Sequence, residues 1–188
     1  MIRIKTDLAI CGLHEIDGML DERVTHVLSI LDPGTPEPAK FAALADDRLL
    51  RLRFHDIVDE YQPLSESPRH AHVDAIFRFG AAAARAHHRL LIHCHMGISR
   101  STAAAVMLLA SESRDAEAAV AQVTALRPVA WPNLRMIELA DEQLGLERSL
   151  VRAVRRHHAR VLRRRPHLRD SIVLHGRGRE VEGLESLD

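Results

Sequence analysis

The sequence has no net charge: 26 basic residues balance 26 acidic ones over 188 positions. Taken whole, that balance argues against nucleic-acid binding driven by bulk charge. Cysteine is scarce, with only Cys11 and Cys94. Two thiols exclude a disulfide scaffold and suit a reducing compartment. Long hydrophobic runs are also missing. The longest wholly apolar stretch, 103–110, has eight residues, against about 20 for a membrane-crossing helix. The first residues, Met1-Ile2-Arg3-Ile4-Lys5-Thr6-Asp7, place charges where a secretory signal needs an apolar core. These absences predict a soluble, cytoplasmic protein with no integral membrane segment. No internal repeat and no low-complexity linker precedes about residue 150.

What is present is globular composition, 46% hydrophobic and 28% charged, at a length suited to one domain. The zero charge conceals a split. Residues 1–147 hold 15 basic and 21 acidic side chains, net −6, while 148–188 hold 11 and 5, net +6. The chain is therefore divided into a body, 1–147, and a basic helical extension and tail, 148–188.

Strand signals fall at 2–11, 24–31 (ended by Asp32-Pro33-Gly34), 49–54 and 90–93. The 49–54 segment alternates leucine with arginine, which predicts one exposed face. Helices are predicted over 73–88, 101–113, 115–126 and 134–146. The helix from 101 is apolar on every side, which marks it as buried. Strands alternating with helices predict an α/β domain: a central, mostly parallel sheet flanked by helices.

The informative segment is His93-Cys94-His95-Met96-Gly97-Ile98-Ser99-Arg100-Ser101. It joins a buried strand to a buried helix. Such a loop turns backbone N–H groups toward one point, and the helix dipole adds positive potential there. That is a cradle for phosphate, built from His95, Met96, Gly97, Ile98, Ser99 and Arg100. A cysteine thiol titrates near pKa ~8.5, and helix N-termini and cations lower that value. Cys94 is thus a candidate nucleophile. Arg100 offers a planar fork to two phosphate oxygens. Gly97 allows a tight turn. Ser101 can hydrogen-bond the sulfur as it leaves, and His93 can orient the loop.

This segment resembles the signature loop of the protein-tyrosine phosphatase superfamily, His-Cys-x5-Arg-Ser/Thr. Its mid-chain place after a central strand resembles the compact dual-specificity branch rather than the low-molecular-weight branch. The strand Thr25-His26-Val27-Leu28-Ser29-Ile30 and the pair Arg127-Pro128 with Pro132-Asn133 resemble other family segments, so the likeness spans about 1–147. It implies a phosphatase-type fold and a cysteine-dependent phosphatase acting on phosphotyrosine or related monoesters, with no cofactor. A rhodanese-like sulfur carrier would use a shorter cysteine-to-arginine spacing.

Ester cleavage leaves an oxyanion that a carboxylic acid should protonate. In the family this acid is an aspartate on a loop before the cysteine. Asp56, directly after the 49–54 strand, is the first candidate and Asp59 the second. The mechanism implied is attack by Cys94 with proton donation from Asp56. Water then cleaves the cysteinyl-phosphate, with Asp56 as base and Ser101 assisting sulfur. Trp131-Pro132-Asn133 reads as a helix entry supporting the loop, with Asn133 beneath it.

Thirteen histidines occur, several in pairs, but none has zinc-site spacing, so no metal is expected. The loop lacks the lysines that phosphoinositide-directed family members place there. Cys11 reads as a core thiol or, alternatively, a redox partner of Cys94. Residues 148–169 hold nine arginines and no acid. They read as a helix packed on the body with a frayed end, or as an arm for an acidic partner, an anionic membrane or nucleic acid. Two other functions stay open: a non-catalytic phosphate-binding module, and a phosphatase of RNA ends using the basic tail.

Overall fold

The computed structural model describes residues 7–60, 64–85 and 89–186. The strand start expected at 2–6 and the helix end expected at 86–88, with the His87/His88 pair, lie outside these residues. Strands β1 (Asp7–Gly12), β2 (Val24–Leu31), β3 (Leu49–Arg53) and β4 (Arg89–Cys94) form one sheet in the order β1-β4-β2-β3. Every pairing among the described residues is parallel. The α/β architecture is thus the one expected.

β4 lies inside the sheet, with both faces covered, and this explains its nearly unbroken apolar run. Alternation along the strand sends Leu90, Ile92 and Cys94 to one face and Leu91 and His93 to the other. The first face carries the main core. It is covered by α2 (His70–Arg85), α3 (Arg100–Ser113), α4 (Ala116–Leu126), α5 (Leu134–Leu144) and α6 (Ser149–Arg164). α3 runs through the middle, and residues 103–110 are all buried. The second face is covered more thinly. There Ile16 of the short helix α1 (Ile16–Met19) and Phe41 pack on Ala9, Cys11, Val27 and Leu91.

Cys11 and Cys94 therefore sit in different apolar clusters, on opposite faces of the sheet. Cys11 is a core thiol, pushed up to about 12 by burial. β3 is an edge strand. Its Arg51 points outward and pairs with Glu37 at 2.8 Å.

The helices are capped as their sequences suggest. Asp115 accepts the Ala118 N–H (3.0 Å) and Asn133 accepts the Met136 N–H (3.0 Å). α5 stops at Leu144, two residues before the expected end, because Gly145 turns left-handed (φ +60°). Asp141 then caps α6 from outside, accepting N–H bonds from Arg148 (2.6 Å) and Leu150 (2.8 Å).

The start of the basic extension packs on the body as a helix, but its end is not frayed. α6 buries Leu150, Val151, Val154 and Leu162. After α7 (Leu168–Leu174) the chain folds back, and Val181 and Leu184 pack with Trp131 and Leu162. Among the described residues no helix is long and apolar enough to cross a membrane.

Candidate active site

The loop 94–100 leaves the carboxyl end of β4 and enters the N-terminus of α3, where ligands bind in open parallel sheets. Its shape is set from outside, carbonyl by carbonyl. Leu13 N–H donates to His95 O (2.8 Å). Arg127 donates to Met96 O (3.2 Å) and Gly97 O (3.0 Å). Trp131 N–H donates to Ile98 O (2.8 Å), and Thr102 Oγ1 to Ser99 O (2.9 Å). Five consecutive carbonyls are thus tied outward. In a trans peptide the next residue's N–H points the opposite way. The amides of Met96, Gly97, Ile98, Ser99 and Arg100 consequently turn inward, at the positive end of the α3 dipole.

Gly97 is required by space as well as by turn geometry. Its φ is +67°, and an added Cβ would lie 2.5 Å from the Cys11 carbonyl carbon and 2.6 Å from Gly12 N. The loop rests on the end of β1, where a side chain cannot fit. Arg127, which holds the loop from behind, is itself fixed by a fork onto Glu15 (2.9 and 2.8 Å). That fork holds the Glu15 carboxyl below its ordinary range.

Cys94 is 2% exposed, and its Sγ lies 3.2 Å from Ser101 Oγ. Ser101 is fully buried in the first turn of α3. Arg100 is also buried. Its Nη1 donates to Asp32 Oδ1 (2.6 Å) and Phe54 O (2.5 Å), and its Nη2 meets His95 Nδ1 at 2.9 Å. Arg100 Nε, also buried, has no hydrogen-bond partner among the described residues. A buried donor left unpaired costs about 1–3 kcal/mol, and a phosphate oxygen would satisfy it. Met96 and His95 frame the mouth, Met96 being largely exposed. His93 does not orient the loop through its ring nitrogens, which are both buried without a hydrogen-bond partner among the described residues; the ring packs against Phe41, centroids 5.3 Å apart. Burial pushes its imidazole down to about 4, so it is neutral at pH 7.

The two candidate acids separate clearly. Asp56 Oδ1 accepts from Ser99 Oγ (2.7 Å), on the loop itself, and from Asn133 Nδ2 (2.9 Å). Its Oδ2 accepts from Arg177 Nη1 (3.1 Å). Burial pushes the Asp56 carboxyl up, but Arg177, Arg100 and the Ser99 and Asn133 hydrogen bonds outweigh it, and the net shift is down. Asp59 instead faces Arg179 at 3.6 Å.

Three participants escape sequence reasoning. Asp32 looks like a turn residue, but it follows a central strand and so stands at the sheet's carboxyl edge beside Arg100. Arg177 is 121 residues from Asp56, and no local pattern announces it. Glu180 is fully buried and accepts from Trp131 Nε1 (2.6 Å), Leu134 N–H (2.9 Å) and Arg177 Nη2 (2.8 Å). It ties the C-terminal segment to the helix entry under the loop. Among the described residues no three His, Cys, Asp or Glu side chains converge as metal ligands.

No protein-family model and no curated protein matches the chain. Solved structures do. The PTP-2 phosphatase of Cydia pomonella aligns with a TM-score of 0.58 at 22% identity, over 75% of this chain and 88% of that one. DUSP15 aligns at 0.56 and 21%, over 82% and 92%. The Yvh1 phosphatase domain of Chaetomium thermophilum aligns at 0.54 and 22%, over 79% and 96%. The chain therefore has the compact, dual-specificity-like fold of the protein-tyrosine phosphatases.

Proposed function

We propose that the protein hydrolyses phosphate monoesters, phosphotyrosine or a related ester, through a phosphocysteine on Cys94. One observation carries the reading: Cys94 Sγ lies 3.2 Å from Ser101 Oγ, and the loop that joins these two residues holds Asp56 through a 2.7 Å hydrogen bond from Ser99 Oγ. Cys94 Sγ attacks phosphorus as the P–O ester bond breaks, and Asp56 gives its proton to the departing ester oxygen. The ring amides and Arg100 hold the three remaining phosphate oxygens, whose charge persists through the transition state. Water then attacks phosphorus and gives its proton to Asp56. The P–S bond breaks with the Ser101 hydroxyl donating to sulfur. Phosphate leaves, and Asp56 is protonated again for the next cycle.

The partner implied is a phosphorylated protein or a small phosphomonoester. One fold neighbour, PTPMT1, was solved with PI(5)P, but the loop here carries no lysine at 95–99, which favours a less highly charged substrate. An acidic partner for the tail draws less support than its composition suggests. Arg156, Arg169, Arg177 and Arg179 pair with Glu117, Glu185, Asp56 and Glu138 of the same chain.

The test is 4-nitrophenyl phosphate hydrolysis by wild type, Cys94→Ser, Asp56→Ala and Asp59→Ala, with and without vanadate. Turnover abolished in Cys94→Ser, and lowered more by Asp56→Ala than by Asp59→Ala, supports the reading. Vanadate binding without any turnover would identify a phosphate-binding module instead.

A further inference from the structure

A cavity of about 340 Å³ opens beside the phosphate loop. It meets the proposed chemistry at two points. Ile98, on its wall, belongs to the loop, and Arg177, also on its wall, holds Asp56 at 3.1 Å. Much of the remaining wall is apolar. Trp131 and Pro128 line one side, and Val161, Leu168 and Ile172 the other. Its volume falls within the ~300–1,000 Å³ typical of small-molecule sites.

Two further arginines, Arg164 and Arg165, line the same cavity. Both are exposed at the C-terminal end of α6. Neither has an ion-pair partner among the described residues, unlike the paired arginines at 156, 169, 177 and 179. An apolar cavity with two uncompensated cations suits an apolar body bearing negative charge.

We infer that this cavity receives the organic part of the substrate, and that preferred substrates are phosphomonoesters of bulky, apolar groups carrying at least one further negative charge. The inference rests on the phosphatase reading and narrows its substrate class. The C-terminal segment thereby contributes to specificity. It builds one wall of the leaving-group site and supplies the charges at its edge.

The test compares kcat/KM for 4-nitrophenyl phosphate, small and without extra charge, with fluorescein monophosphate, bulky, aromatic and bearing a carboxylate. Wild type is expected to prefer the second. The double variant Arg164→Ala/Arg165→Ala removes two exposed charge contacts, each worth a few-fold. It should lose about tenfold on fluorescein monophosphate and stay within about twofold on 4-nitrophenyl phosphate. Ile172→Trp, which fills the cavity, should act in the same direction. Equal effects on both substrates, or no preference in wild type, would overturn the inference and leave the phosphatase reading standing. Fluorescence of 8-anilinonaphthalene-1-sulfonate, an apolar anion, supplies a readout independent of turnover. Its binding should weaken in both variants. If neither ester is turned over, the phosphatase reading fails; dye binding unaffected by either variant then rejects the cavity as an anion site too, and variant-sensitive binding upholds it.

Discussion

Gly97→Ala perturbs the feature on which the whole site depends, the seat of the loop on β1. The cost has two parts. A non-glycine residue at φ +67° is strained by about 1–2 kcal/mol. The new Cβ would also sit 2.5 Å from the Cys11 carbonyl carbon, roughly 1 Å inside ordinary contact. All three atoms nearest the new Cβ are backbone, so relief requires the loop to lift. Lifting strains the Leu13–His95 bond and the Arg127 bonds to Met96 and Gly97, each worth about 1 kcal/mol. The sum is about 4–5 kcal/mol, and the melting temperature should fall by roughly 10–15 °C. A loop displaced by about 1 Å should lose about 100-fold in kcat/KM. Gly145→Ala is the matched control, because Gly145 also has positive φ (+60°) but nothing lies within 4 Å of an added Cβ. It should cost only the strain, about 1–2 kcal/mol, and leave turnover unchanged. Thermal melts followed by circular dichroism and 4-nitrophenyl phosphate kinetics check both variants. Equal destabilisation by the two, with turnover retained in Gly97→Ala, would mean that the loop does not depend on its close seat against β1.

Arg177 helps hold Asp56 ionised, so Arg177→Met should raise the Asp56 pKa. Asp56 must be protonated to serve as acid, so activity falls as pH rises through that pKa, and the alkaline limb of the kcat profile should move to higher pH. Arg177→Lys should restore it in part, and an unmoved limb would remove Arg177 from this positioning role. Glu180→Ala strands three donors, Trp131 Nε1, Leu134 N–H and Arg177 Nη2, and should cost about 3–5 kcal/mol in urea unfolding. Trp131 is the sole tryptophan, so its fluorescence reports directly on release of the segment. His93 is pushed from 6.5 to about 4 by burial, so the unfolded chain takes the proton first as pH falls. Stability contributed by neutral His93 should be complete above about pH 6.5 and fade toward pH 4, by about 3 kcal/mol. Comparing urea unfolding of wild type and His93→Gln across that range measures it, and identical pH slopes would contradict it.

The strands β2, β3 and β4, the buried α3 and the loop between them are legible because their signals are local. Apolar runs, turn residues and the Cys94–Ser101 spacing all lie within short windows. Asp56 is legible only as one of two candidates, because its separation from Asp59 depends on Ser99 and Asn133, residues brought to it by the fold. Asp32, Arg177 and Glu180 act across 46 to 121 residues of sequence, and no periodicity encodes such meetings. The charge split was visible, but its physical meaning was not. The acidic body and basic extension are complementary partners within one molecule. Arg156 reaches Glu117, Arg179 reaches Glu138, and Arg177 carries the pairing into the candidate active site.

A covalent phosphoryl group on Cys94 should be trapped by rapid acid quench and seen by mass spectrometry. Ser101→Ala removes the hydroxyl 3.2 Å from the sulfur, and sulfur departure in the second step should slow. During turnover of 4-nitrophenyl phosphate this variant should show a burst of one nitrophenol per enzyme and accumulate a phosphoryl adduct on the peptide containing Cys94. Steady hydrolysis with no adduct on that peptide, or turnover that persists in Cys94→Ser, would contradict the account.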